Sequence, residues 1–369
     1  MSEYQVYEFQ AVDRPLNDEE ITAIRKLSSR VRPTRTSATF VYHWGDFPRK
    51  PRDVLVQYFD AMLYLANWGA KRLMFRFPKH LIELEEVRRY QVEELIMFST
   101  AGEYVVLDIH FSEEDGEYWD QVEREGSLSS LVRLREDILR QDYRLLYLAW
   151  LKAIPYEDIA PEVYEPPVPA GLQQLSAALQ DFIELFEIDE MLVQVAAEAS
   201  PTIQRPVEEQ VYQAVRQLSR AECDDFLIRL AKGEANLPLA LNRRLRELAG
   251  IGQAAAPSRR TVGQLLAAAE ERRGQEAKRL AAEVEAQRLK ALEALARREA
   301  EAWRQVGALI QEGKARPYDE AVELLKQLRD LAVHQGKEAA FRERMSRIFE
   351  AHSRRPALMA RLRKVGLVR

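Results

Sequence analysis

The chain has 369 residues, 47 % apolar and 31 % charged, with 54 Lys+Arg against 59 Asp+Glu and one cysteine, Cys223. That length allows two or three domains, and a lone cysteine excludes an internal disulfide framework and any thiolate zinc cluster. No apolar run approaches the roughly 18 residues of a bilayer-spanning helix, and the opening MSEYQVYEFQ lacks the basic and apolar regions of a signal peptide; the sequence reads as a soluble cytoplasmic protein, bacterial or archaeal in style.

Residues 1–125 mix strands and helices. Residues 4–12 (YQVYEFQAV) alternate and are rich in aromatic and β-branched types, which predicts a strand. Asn17 is placed to cap a helix whose first turn holds Asp18, Glu19 and Glu20 and which runs to about Ser29. A second strand is expected over 37–44. An amphipathic helix follows over 52–68, opened by Pro51 and closed near Gly69. A third strand covers 71–77, and ELIMFST with EYVVLDIHF form a hairpin around Ala101-Gly102. The order β-α-β-α-β-β-β predicts an α+β class, with a small mixed sheet ahead of a predominantly helical remainder.

Residues 112–125 (SEEDGEYWDQVERE) read as an acidic loop. From Ser127 the periodicity turns helical. Residues 126–250 are expected to form a helical domain, with a buried helix or pair of helices up to about Ile154, a proline-rich connector EPPVPAG and four or five short helices beyond it. A break follows at 251–260 (IGQAAAPSRR), where the charge balance inverts. Residues 1–250 carry 29 Lys+Arg against 43 Asp+Glu, whereas 251–369 carry 25 against 16.

Residues 261–313 read as one long helical arm whose apolar positions fit an 11-residue spacing better than 7. The charges of its middle are paired at helical neighbour spacing, as in Glu276–Arg279 and Glu285–Arg288. A nearly straight helix with one weak apolar stripe is expected, packed by its ends at Leu265/Leu266 and Leu309/Ile310 and exposed between them. Gly313 ends it. Residues 314–369 form a basic helical-hairpin tail of three short helices.

Three groups of residues offer chemistry. His43 ends an aromatic strand in Tyr42-His43-Trp44-Gly45-Asp46, and Asp46 three residues on could orient its imidazole; the other reading is a strand end with Trp44 capping the core. Asp108 and His110 fall on one face of a strand, as a metal or acid–base pair would require, or as a solvated strand face would show. The tail arginines Arg344, Arg347, Arg354, Arg355, Arg361 and Lys364 could neutralise phosphates or meet an acidic protein. No HExxH, GxxxxGK[ST], GxGxxG or GxSxG occurs, and no cofactor or metal is expected.

The segments EYQVYEFQAVDRPLNDEE, YHWGDF and QYFDAMLYLANWGAKRLMFRFP resemble a family of uncharacterised bacterial proteins with this aromatic, acidic opening; the resemblance covers the first third and implies no particular activity. The tail YDEAVELLKQLRDLAVHQGKEAAFRERMSRIFEAHSRRPALMARLRKVGL resembles the helical C-terminal end of bacterial SWIM-type zinc-finger proteins, without their zinc ligands. It also has the rhythm of a tetratricopeptide-like hairpin at Ala321, Leu325, Ala332 and Phe341. That resemblance implies a helical protein-contact module, acting beside a separate zinc-finger protein. The leading expectation is therefore a non-enzymatic adaptor that binds partner proteins through arm and tail. A nucleic-acid binder using the tail is the alternative, and an enzyme built on His43, Asp46, Asp108 and His110 is the second.

Overall fold

In the computed structural model, residues 4–29, 31–112, 127–156, 159–203, 208–234, 236–250 and 260–367 are described. The chain divides into two compact units, Met1–Arg272 and Arg273–Arg369. Apart from Ser112, which ends a strand, the acidic loop expected over 112–125 lies outside the described residues, as does the break at 251–260 apart from Arg260.

The first unit is built on six antiparallel strands. These are β1 (Gln5–Gln10), β2 (Ser37–Tyr42), β3 (Ala61–Ala66), β4 (Ala70–Pro78), β5 (Ile96–Ala101) and β6 (Tyr104–Ser112), in the order β2-β1-β3-β4-β6-β5. The central strand β3 corrects the sequence reading, which continued a helix through it. That helix, α2 (Pro51–Tyr58), stops at Phe59, whose backbone is extended. The carboxylate of Asp60 then accepts hydrogen bonds from the amides of Val12 and Asp13 at 2.7 and 3.0 Å. The segment AMLYLA is apolar on both sides because both faces of the sheet are covered, so no alternation distinguishes it from a helix.

The sheet's two faces carry separate cores. Tyr7, Phe9, Phe40, Met62 and Met74 pack under α1 (Asp18–Arg25) and α2. Asn17 caps α1 with a complete capping box, its side chain accepting from the Glu20 amide while Glu20 accepts from its own. On the other face, Leu63, Phe75, Leu107 and Ile109 pack against α3 (Leu84–Arg88) and a layer of helices. That layer holds α4 (Ser127–Leu131), α5 (Arg133–Leu139), α6 (Arg144–Tyr156), α7 (Ala177–Phe186) and α8 (Glu190–Ala199). Helix α6 buries ten of its thirteen residues. Three looser helices follow, α9 (Glu208–Gln217), α10 (Arg220–Ala231) and α11 (Leu237–Leu248).

Helix α12 (Val262–Arg297) starts in the first unit and ends in the second. The expected single arm is interrupted at Arg298, which leaves helical geometry (φ −119, ψ 21), and α13 (Glu299–Glu312) follows. Gly313, at φ +70 in the left-handed region where a side chain would be strained, ends α13 as expected. Then come α14 (Ala315–His334), α15 (Glu338–His352) and α16 (Pro356–Lys364). The second unit has its own core of Leu292, Leu295, Val306, Ile310, Leu325, Phe341, Leu358 and Leu362.

Candidate functional site

Of the four polar candidates, the structure gathers two, Asp108 and His110, around Arg72. Tyr7, Tyr64, Arg72 and His110 stand in register across β1, β3, β4 and β6 on the α1/α2 side. Asp108 is diagonal to Arg72, which grips it with two hydrogen bonds of 2.8 and 2.5 Å. This half-buried fork holds the Arg72 guanidinium above its usual range. Burial lowers the His110 pKa, the Arg72 charge lowers it further, and Asp108 offsets part of this as a nearby charge. Burial also raises Tyr7 and Tyr64, and Asp46 adds to both shifts. Asp46 and Arg72 thus act on the same two phenols, whose hydroxyls both donate to Gln5 Oε1.

The row therefore comprises protonated phenols, a neutral imidazole and a carboxylate held by arginine. It is a polar seam through the sheet. Sequence reasoning found Asp108 and His110 from strand alternation but missed Arg72, Tyr64, Tyr7 and Gln5, which join them only through long-range pairing. His43 stands apart from this row, exposed at the strand end with its ring edge-on to Tyr4 at 5.0 Å. Trp44 does not cap the core; it is 77 % exposed, and Phe47 fills that place against Tyr7, Phe9 and Phe40.

Two buried charge networks of the first unit bear on its organisation. Asp60 accepts from Arg76 at 2.6 Å, and Arg135 forks onto Asp13 at 2.9 and 2.7 Å while donating to the Arg76 carbonyl. Burial alone would raise the Asp60 pKa; Arg135, Arg76 and the two amides pull it below its usual value instead. The second network roots the arm. Glu165 accepts from Nε and Nη2 along one edge of the Arg260 guanidinium, at 2.8 and 3.0 Å, and from Tyr147 Oη at 2.8 Å. Next to it, a Cβ on Gly263 would lie 3.0 Å from Pro161 Cβ, so any larger residue in the first turn of α12 would require Pro161 to give way.

Along α12, Val262, Leu265 and Ala269 are buried in the first unit's core and Leu292 and Leu295 in the second's. Between Ala269 and Leu292 no residue is buried. Glu283, Arg288 and Glu293 are exposed, while Leu280, Val284 and Leu289 stand in the open at 50, 65 and 36 %.

The tail cations are mostly engaged. Arg355 donates to the Ile310 carbonyl and to Tyr318 Oη, sealing the end of α13. Arg361 binds Asp319 at 2.6 Å, and Arg347 pairs with Glu343 on its own helix. Arg344 lies over the Trp303 ring, 5.0 Å from its centroid. Arg354 and Lys364 are exposed. Beneath these cations the tail's apolar residues Phe341, Met345, Leu358 and Leu362 are buried, and Ile348 and Phe349 are half-buried.

Among the described residues, no group of three or more His, Cys, Asp or Glu side chains is arranged to hold a metal ion, and no helix is long and apolar enough to cross a membrane. No family model, curated protein or solved structure matches the chain.

Proposed function

We propose that this protein is a non-enzymatic assembly factor that engages a partner protein through the exposed middle of α12. The observation that carries this reading is the stretch between Ala269 and Leu292, where a helix anchored at both ends buries nothing. Ala277, Leu280, Val284 and Ala291 recur at three-, four- and seven-residue intervals, so they share one face. Glu276 and Glu283 flank that face on one side and Arg288 on the other. A partner helix with the opposite charge order would cover the aliphatic stripe and pair with both flanks. The tail resemblance makes a separate zinc-finger protein one such partner. Nucleic-acid binding draws less support, because Arg355, Arg361 and Arg347 are already spent on internal acceptors.

The test is a paired affinity purification from the native host, with and without nuclease, using the wild-type chain and the Leu280→Glu/Val284→Glu variant. Both positions are exposed, so folding should be unchanged. The expected result is a protein retained by the wild type in both arms and lost by the variant, then rebound in a purified two-component assay. Equal retention by the variant, or loss on nuclease treatment, sinks the reading.

A further inference from the structure

A second site lies away from the arm, in the cleft where the end of α5 meets α9 and α11. It encloses about 210 Å³. Its floor is aliphatic, formed by Leu139, Val211, Leu239 and Leu245. Three arginines line it, and they differ in what they already hold. Arg140 pairs with Glu136 at 2.6 Å. Arg243 pairs with Glu83 and, at 3.4 Å, with Glu247. Arg246 donates one N–H to the Arg140 carbonyl at 3.3 Å and pairs with no carboxylate among the described residues.

A guanidinium carries five N–H donors, and this one is half-buried with a single neutral acceptor. Partial desolvation of a charge without a counter-ion is unfavourable, and an incoming anion relieves it. Asn242 stands one helical turn earlier and lines the same cleft, placing an amide donor on the face that presents Arg246. We propose that this cleft binds a short-chain organic carboxylate, with its head group on Arg246 and Asn242 and its alkyl tail on the aliphatic floor.

The combination of floor and cation selects the class. Inorganic phosphate would satisfy Arg246 but leave the floor wet, and a neutral alcohol would fill the floor but leave Arg246 unbalanced. A cleft of this volume suits a small molecule, for which pentanoate, with a carboxylate head and a short alkyl tail, is the probe. A few well-placed polar groups over an apolar lining is the usual build of a small-molecule site.

The experiment is a titration of the full chain with pentanoate at constant ionic strength, read by calorimetry and by the shift in Tm that ligand binding to the folded state produces. Acetate, phosphate and 1-pentanol serve as comparison probes. Pentanoate should bind most tightly of the four. Arg246→Gln should weaken it at least about tenfold, as loss of a hydrogen-bonded charge predicts, and Leu239→Trp, which fills the floor but keeps Arg246, should abolish it. A phosphate affinity equal to that of pentanoate would overturn the proposal, and so would Arg246→Gln binding as well as wild type. Absence of any pentanoate effect at about 20 mM would do the same. Because α12 takes no part in the cleft, these outcomes leave the assembly reading untouched.

Discussion

Arginine–carboxylate pairs occur in two settings in this chain. In the first unit, Arg76 and Asp60 meet at 2.6 Å with side chains 9 and 1 % exposed. On the arm, Arg279 and Glu276 meet at 2.5 Å with side chains 65 and 36 % exposed. The distances are alike and the energetics are not. Buried charges have already lost their water, so each depends on its partner to offset that loss. Exposed charges keep their water and gain little by meeting. The buried networks therefore fix where β1, β4, α5 and the root of α12 must sit, whereas the arm's pairs keep a long helix solvated without fixing its surroundings.

The largest effect should come from removing Asp60. Asp60→Ala leaves Arg76 without its carboxylate, leaves Arg135 facing only Asp13, and deprives the amides of Val12 and Asp13 of their acceptor. Breaking a buried pair from one side costs about 3–5 kcal/mol, a large part of an ordinary folding free energy. Denaturant midpoints would show it. A loss below about 1 kcal/mol would mean that the network is more hydrated than its burial indicates.

Glu165→Gln should come next. The amide keeps the shape but removes the charge that Arg260 grips and that Tyr147 donates to. Hydrogen bonds to a charged group contribute about 1.5–3 kcal/mol, so a loss of about 2–3 kcal/mol is expected. The same substitution should loosen the start of α12. Amide exchange at Val262–Ala269 should accelerate while exchange in β3 and β4 stays unchanged, and uniform acceleration would contradict a local anchor.

Asp137 sharpens the comparison because it is a half-buried carboxylate whose burial is not fully offset. Burial, reinforced by Asp142, raises its pKa from 3.8 to about 6. Between those values the folded state holds a proton that the unfolded state has released, so stability falls as pH rises from about 4 to about 6. Two units correspond to nearly 3 kcal/mol; partial exposure reduces the expected drop to about 1–2 kcal/mol. Asp137→Asn should flatten that slope and leave the chain more stable than wild type at pH 7. Asp60 works in the opposite sense. Its lowered pKa supplies stability above the usual carboxylate range that disappears as pH falls below it. An unchanged slope in Asp137→Asn would assign the pH 4–6 region to other groups.

The legible parts of the fold were those with local chemistry. The capping box of Asn17 and Glu20, the hairpin at Gly102 and the left-handed stop at Gly313 each need only a few adjacent residues. Strand β3 was missed because its alternation is erased by burial on both faces and because Asp60, which separates it from α2, acts on residues 47 and 48 positions away. The break at Arg298 carries no glycine or proline to announce it. The site was less legible still. Strand alternation placed Asp108 and His110 on one face, but Arg72 comes from 36 residues earlier, and the Arg135–Asp13 and Arg260–Glu165 contacts span 122 and 95 residues. Residue type gives no sign of such pairs. The Arg246 cleft was likewise invisible, since three arginines close together, Arg243, Arg244 and Arg246, read simply as a charged helix until their partners are known.

The smallest effect should come from the arm. Glu276→Gln with Glu285→Gln removes the carboxylates that meet Arg279 and Arg288 at 2.5 and 3.5 Å. Both pairs are largely in water and lie three residues apart on a helix, where such pairs contribute about 0.3–0.5 kcal/mol each and less as salt screens them. The double variant should therefore lose no more than about 1 kcal/mol at low salt, and the difference from wild type should shrink at about 0.5 M NaCl. Asp60→Ala should retain its deficit at that salt, because its partners are shielded from the ions. The contrast in salt response is more telling than either loss alone. It separates charges that only solvate a helix from charges that hold a core in register. A loss above about 2 kcal/mol from the arm variant, insensitive to salt, would show that the middle of α12 is covered in the purified protein. The aliphatic face of Leu280 and Val284 would then already be occupied by a second copy of the chain, and size measurement of the wild type against Leu280→Glu/Val284→Glu would reveal it.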